Sequence, residues 1–274
     1  MKIAVLPALA LLLSSAAAAQ TPTGMPPDVK KDIQIEIQSP IETAGAVPVA
    51  DEPHHAHVFQ NGYVQVYNVT VPPLDATLLY RHDLPYLFLT LGATSSLNAV
   101  QGKPPKQMTL EDGATRYSPG GFAQVIRTDA GIAFHSITVV LVHPQASPHN
   151  LGDKGEDRPL GSCPQSSAAP TQNDQIPFER ELPCFETSEV RLEEVKVQGG
   201  KYYVEAAPEM VALLIAMSNA NLDVSLGGEH TSFLHAGDVL WLPAGTARKV
   251  GDFLGTRSQF LLISFKDSGA AAAK

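Results

Sequence analysis

The sequence predicts an all-β protein of two tandem domains joined by an irregular linker, and three observations predict it. A block of residues is used twice: Phe59-Gln60-Asn61 followed by Val64, Val66, Val69 and Val71 recurs as Phe185-Glu186-Thr187 followed by Val190, Leu192, Val195 and Val197, at an offset of 126 residues. A later block, Gly113 to Pro119-Gly120-Gly121, recurs as Gly237 to Pro243-Ala244-Gly245 at an offset of 124. Repeated blocks in the same order mark one structural unit used twice. Alternation is the second observation: Leu87, Leu89 and Leu91 alternate with Phe88 and Thr90, and Ile137, Val139 and Leu141 close the copy in the same way. That period of two belongs to strands, and helical periodicity is nearly absent. Third, His143 to Pro183 carries few apolar residues and many Pro, Gly and Ser, as a linker does.

Taken in order, residues 1–19 read as a signal peptide, with Lys2 in front, an apolar run from Ile3 to Leu13, and Ser14-Ser15-Ala16-Ala17-Ala18-Ala19 before Gln20. Cleavage near Ala19 would deliver the chain to the periplasm or the medium. The run is short for a bilayer, and no later stretch offers the roughly 20 apolar residues a spanning helix needs. Residues 20–50 form an N-terminal segment, 51–145 the first domain, 146–183 the linker, 184–266 the second domain and 267–274 a tail. In both copies the period of two skips a residue midway, which reads as a bulge or a break. Cys163 and Cys184 are the only cysteines. In an oxidising compartment an even pair reads as one disulfide at the end of the linker, and the spacing is far from the C-x-x-C of a redox or metal pair.

The 274 residues are 44% hydrophobic and 17% charged, enough apolar material for a packed core. Lys and Arg number 19 against 28 Asp and Glu, a net charge of −9 that argues against nucleic-acid and anionic-membrane binding. No G-x-S-x-G, P-loop or H-E-x-x-H motif occurs, so hydrolase and nucleotide readings lack support. The acidic doublets Glu111-Asp112 and Glu193-Glu194 are read as turn and strand-face positions.

Gly237-Asp238-Val239-Leu240-Trp241-Leu242-Pro243-Ala244-Gly245 resembles the second sequence motif of the cupin superfamily, G-x5-P-x-G-x2-H-x3-N, and Gly113, Pro119 and Gly121 fit it equally well. The resemblance implies two tandem cupin-type jelly-roll β-barrels. In that family His and Glu side chains hold a metal, but here the motif's His slot is Gln124 in the first copy and Arg248 in the second. The companion motif is equally degenerate. Pro85 falls in the Glu slot with Leu78 and Tyr80 in the His slots, and a shifted register reads Tyr80-Arg81-His82 there instead, with Tyr80 and His82 on one strand face either way. In the second copy the offset of 124 puts Tyr202, Val204 and Ala206 at the corresponding positions and Glu209 in the Glu slot. Glu209 and Arg248 are therefore expected to form an ion pair where a metal would sit.

His54-His55-Ala56-His57 could place His55 and His57 on one strand face as metal ligands, but the cluster opens the first copy and is read as a solvated segment. No spacing among His135, His143, His149, His230 and His235 is diagnostic. The expected pocket residues are Tyr80, Arg81, His82 and Gln124 in the first copy, and Tyr202, Glu209 and Arg248 in the second. No catalytic residue and no cofactor is assigned. The expected function is a metal-free, non-catalytic bicupin that is structural or binds a small organic or anionic ligand. The alternative is a metal-dependent dioxygenase or isomerase with iron, manganese, nickel or zinc on His82 and non-standard ligands in the first domain. Homodimerisation is implied by the resemblance only.

Overall fold

The repeats become two β-sandwich barrels. The computed structural model describes residues 45–129, 131–152, 158–164, 180–206 and 208–266. The expected signal peptide and tail, the N-terminal segment up to residue 44 and much of the expected linker lie outside the described residues. The first copy runs β1 (Val47–Pro48), β2 (His55–Gln60), β3 (Val64–Val71), β4 (Tyr80–His82), β5 (Tyr86–Thr90), β6 (Thr94–Val100), β7 (Lys106–Leu110), β8 (Thr115–Ser118), β9 (Phe122–Thr128) and β10 (Phe134–Leu141). The second runs β11 (His149–Asn150), β12 (Arg180–Glu186), β13 (Val190–Gln198), β14 (Tyr202–Glu205), β15 (Val211–Ala216), β16 (Asn221–Leu226), β17 (Glu229–His235), β18 (Val239–Leu242), β19 (Arg248–Asp252) and β20 (Arg257–Phe265). Among the described residues the helical content is a 3-10 turn at Val49–Asp51.

Sheet order shows how closely the copies match. The first barrel closes β2-β3-β10-β5-β8 over β1-β4-β9-β6-β7, and the second closes β12-β13-β20-β15-β18, extended by β11, over β14-β19-β16-β17. Tyr67, Val69, Val71, Tyr80, Tyr86, Leu110, Ile126, Phe134 and Val140 fill the interior of barrel 1. Val195, Val197, Tyr203, Leu214, Leu222, Val224, Leu242, Val250, Phe260 and Leu262 fill that of barrel 2.

The skipped residue in the repeat has a different cause from the expected bulge within that strand. β3 pairs with β10 in unbroken register from Val64 to Val71. Val64 and Val66 point outward into a core between the barrels, whereas Tyr67, Val69 and Val71 point inward. β13 does the same, with Val190 and Leu192 in the shared core and Val195 and Val197 inside barrel 2. A strand buried first on one face and then on the other changes phase without bending. The register shift sits on the neighbouring strand, between His57 and Phe59 in β2 and between Pro183 and Phe185 in β12, again 126 residues apart.

The shared core joins the two large sheets back to back through Leu87, Leu89, Ile137 and Val139 of barrel 1 and Leu213, Ile215, Leu261 and Ile263 of barrel 2. Its contacts are reciprocal. Phe59 stacks on Trp241 with ring centroids 5.9 Å apart, and its repeat partner Phe185 meets Tyr117 at 4.9 Å. Gly113 has φ +74 and lies under Met217, while Gly237 has φ +83 and lies under Leu91. Each surface is thus the other's counterpart, the geometry of a two-fold interface. Truncating a single large side chain in such a core costs about 2–5 kcal/mol.

Cys163 and Cys184 form the disulfide. Its position ties the copies together: residues 158–164 lie along β8, with Tyr117 N–H donating to Leu160 O at 2.8 Å and Cys163 N–H to Thr115 Oγ1 at 3.0 Å. Cys184 belongs to β12, and both cysteines are buried in the shared core.

Candidate functional site

β4 brings two of the expected pocket residues inward. Its alternation buries Tyr80 and His82, each 3% exposed, and turns Arg81 outward, where it contacts Asp83 Oδ2 at 2.9 Å and Ala46 O at 3.1 Å. Arg81 is therefore not a pocket residue, because the period of two that buries its neighbours exposes it. Register places Gln124 of β9 opposite Tyr80, and its amide donates to the Tyr80 hydroxyl at 2.8 Å. The corner after β8 completes the arrangement. Gly120, at φ +73, packs against the Leu84 carbonyl where a Cβ has no room, and Gly121 N–H donates to His82 O at 2.6 Å.

These residues wall a cavity of about 50 Å³ with His55, Tyr86, Phe88, Asn98, Met108, Ser136 and Thr138, room for about four water-sized guests. His82 stacks on Tyr86 with centroids 3.9 Å apart. Burial, reinforced by the neighbouring His55, lowers the His82 pKa to about 3, so its ring is neutral at ordinary pH. Burial and the nearby Tyr86 push the Tyr80 phenol far above its usual range, and burial pushes Tyr86 up to about 12. His82 Nδ1 and Asn98 Oδ1 are buried without a hydrogen-bond partner, as are Thr94 Oγ1 and Ser96 Oγ on the same face of β6.

His55 corrects the expectation of a solvated histidine segment. It is 6% exposed, and its Nδ1 lies 2.6 Å from Glu52 Oε2. The second oxygen of Glu52 lies 2.9 Å from His54 Nδ1, and the carboxylate also accepts from His54 N–H at 2.7 Å and Leu78 N–H at 3.2 Å. Burial alone would raise the pKa of Glu52, but the bonds from His55 and His54 and the Leu78 amide outweigh it and hold the carboxyl at about 2. His57 is exposed, with its ring centroid 5.7 Å from that of Tyr67. Glu52 went unnoticed in the sequence, although a carboxylate three residues ahead of a histidine at a strand opening was the available signal.

The donor set does not suit a cupin-type metal. Among the described residues no three His, Cys, Asp or Glu side chains are placed to hold a metal ion together. Of the side chains in the motif slots, the Gln124 amide is engaged with Tyr80 and the Tyr80 phenol is held protonated, which leaves the single imidazole of His82 as a ligand.

Among the described residues barrel 2 shows no comparable cavity lining. Arg248 is 2% exposed and pairs with Glu205, not with the expected Glu209, which is exposed. The reason is register: Glu205 and Arg248 are cross-strand partners as Tyr80 and Gln124 are, so β14 follows an offset of 125 from Tyr80 to Glu205. Tyr202, expected in the pocket, is 38% exposed on the outer face, with its ring over Gly251 and the Lys249 ammonium 3.6 Å from its centroid. A larger cleft of about 190 Å³ lies between the barrels. Its polar groups partner one another: Glu194 accepts from Gln259 at 2.7 Å and pairs with Lys196 at 3.1 Å, and Asp112 accepts from Ser218 and from Gly92 N–H.

No family model matches the sequence, and no curated protein matches it. Solved structures do. AerE from Microcystis aeruginosa is 9% identical with a TM-score of 0.53, the match covering 78% of this chain and 98% of that one. Salicylate 1,2-dioxygenase from Pseudaminobacter salicylatoxidans is 11% identical with a TM-score of 0.55, over 77% of this chain and 75% of that one. The protein YlbA from E. coli is 10% identical with a TM-score of 0.51, over 79% and 89%. At these identities the likeness is one of fold.

Proposed function

The chain has the two-barrel cupin fold, and on that footing we propose that barrel 1 binds a small neutral organic molecule while barrel 2 is its filled structural twin. One observation carries the reading: His82 Nδ1 and Asn98 Oδ1 stand unpartnered at the wall of a lined cavity in barrel 1, whereas in barrel 2 the unpartnered Arg248 Nη1 belongs to a side chain already paired with Glu205 beside a packed apolar interior. A buried polar atom without a partner costs about 1–3 kcal/mol, which a hydrogen-bonding guest offsets. Neutrality follows from the lining. His82 is neutral, Arg81 faces out and His55 is committed to the Glu52 carboxylate, so the cavity has no unpaired cation with which to hold an anion. The salicylate dioxygenase is named for an organic substrate. Its oxygen chemistry is not carried over, because the donor set differs.

We take the chain to be exported, as the leader-like Met1–Gln20 supports, so the guest would be met outside the cytoplasm. Pairing of two chains is a separate proposal, tested by sedimentation at micromolar concentration. The binding reading is tested with histidine-labelled protein titrated with hydroxyacetone, a neutral probe of matching size, and with acetate. Hydroxyacetone should move the His55 and His82 resonances, acetate should not, and His82→Phe should abolish the response while keeping the far-UV circular dichroism. A response to acetate with none to hydroxyacetone overturns the proposal.

A further inference from the structure

Four side chains form a line from solvent to the barrel 1 cavity. Asp75 is exposed, and its Oδ2 lies 3.2 Å from His54 Nε2. His54 Nδ1 lies 2.9 Å from Glu52 Oε1, and Glu52 Oε2 lies 2.6 Å from His55 Nδ1. Carboxylate and imidazole alternate, so each gap is bridged by one proton, and an imidazole that takes a proton at one nitrogen can release one from the other.

The ionised Glu52 sets the tautomer of His55. Nδ1–H donates to the carboxylate, so the neutral form of the ring carries its lone pair on Nε2, and Nε2 has no hydrogen-bond partner among the described residues. The groups that face His55 are Glu52 and the rings of Tyr67 and Tyr80, with neutral His82 beyond Tyr80. The Tyr80 ring centroid is 4.7 Å from that of His55. Its hydroxyl already accepts from Gln124, so its own proton is available to a guest.

We propose that the barrel 1 cavity is a metal-free proton-transfer site in which His55 Nε2 is the base, Tyr80 the hydrogen-bond donor, and Glu52, His54 and Asp75 positioning residues that link the base to solvent. The inference rests on reading barrel 1 as the binding site. The guest class is a small neutral carbonyl compound with a C–H bond next to the carbonyl. That C–H bond breaks and its proton passes to Nε2. The electron pair forms a carbon–carbon double bond as the carbonyl π pair moves onto oxygen, where it meets the Tyr80 hydroxyl. Return of the proton to carbon restores the carbonyl, and no oxidant or reductant is consumed.

The test uses hydroxyacetone in deuterated buffer with the full chain. Nitrogen NMR of the wild type should show His55 as the Nδ1–H tautomer at neutral pH. The protein should speed deuterium exchange at the carbon next to the carbonyl, and His55→Gln should reduce the catalysed rate about a hundredfold. His54→Gln should slow exchange while leaving the hydroxyacetone-induced shifts in place, and Glu52→Asp should retain part of the rate. An Nε2–H tautomer at His55, or equal exchange in wild type and His55→Gln despite binding, overturns the proton-transfer assignment alone. Absence of any hydroxyacetone shift in the folded wild type overturns the binding reading and this inference with it.

Discussion

Glu205 pairs with Arg248 across β14 and β19 at the position where, in the other barrel, Tyr80 meets Gln124. The same slot holds a neutral hydrogen-bonded pair in one copy and an ion pair in the other. Arg248 Nη1 is buried without a partner, so the pair is incompletely satisfied. Replacing Arg248 with Met, of similar reach and no charge, should leave stability unchanged or raise it by about 1 kcal/mol. Arg248→Ala should cost about 2–3 kcal/mol through the void it leaves, and Glu209→Gln, at an exposed residue, should change nothing. Urea denaturation of the three variants checks the ordering; a costly Glu209→Gln would reinstate that residue as the partner.

Glu52 holds two imidazoles and two backbone amides, so Glu52→Gln should destabilise by about 3 kcal/mol at neutral pH. Its folded pKa of about 2 lies below the ordinary 4.5, so its contribution is present above pH 4.5 and is lost as pH falls towards 2. The difference between wild type and variant should therefore shrink across that window in acid denaturation. A difference that stays constant would place the carboxylate outside this network.

His82 acts in a higher window. Its folded pKa of about 3 lies below the ordinary 6.5, so the unfolded chain takes up a proton that the folded chain refuses. Stability is full above pH 6.5 and declines as pH falls towards 3. His82→Gln should flatten that decline, read as a smaller loss of denaturation midpoint between pH 6.5 and 4. An unchanged slope would mean that the ring is not held neutral.

The Cys163–Cys184 bridge joins a segment lying on barrel 1 to a strand of barrel 2, at a sequence separation of 21. Cys163→Ser should lower stability by about 2–4 kcal/mol. Because the sulfurs lie in the shared core, the loss should appear as a lower melting temperature for the whole cooperative transition. A preserved melting temperature with only local proteolytic sensitivity would confine the bridge to its loop.

Metal content offers an independent check. Protein purified without chelator or affinity nickel should carry iron, manganese, nickel and zinc well below one ion per chain, and chelator should leave its melting temperature unchanged. Stoichiometric metal that disappears in His82→Ala would overturn the donor-set argument.

Much of the architecture was legible because it depends on local pattern. The repeated blocks matched strand for strand, and the inward placement of Tyr80 and His82 followed from alternation alone. What escaped depended on which core a strand faces and on how two strands register. The skipped residue near Val66 and Val69 marks a change of core, which a linear pattern cannot distinguish from a bulge. One residue of register separated Glu205 from the expected alignment of Tyr202, Val204 and Ala206. His55 looked solvated because its burial depends on Glu52, supplied by the turn ahead of the strand.

The reciprocal contacts of Phe59 with Trp241 and Phe185 with Tyr117 make the chain a tethered pair of subunits. Two identical subunits must change together, since any substitution appears in both. A tethered pair is released from that rule: one half can drift towards an interior filled with apolar side chains while the other keeps a cavity. The drift has a limit at the seam. Each half covers the other's apolar sheet, so neither can be discarded, and a chain ended after Leu141 should self-associate in sedimentation through the face that barrel 2 now covers.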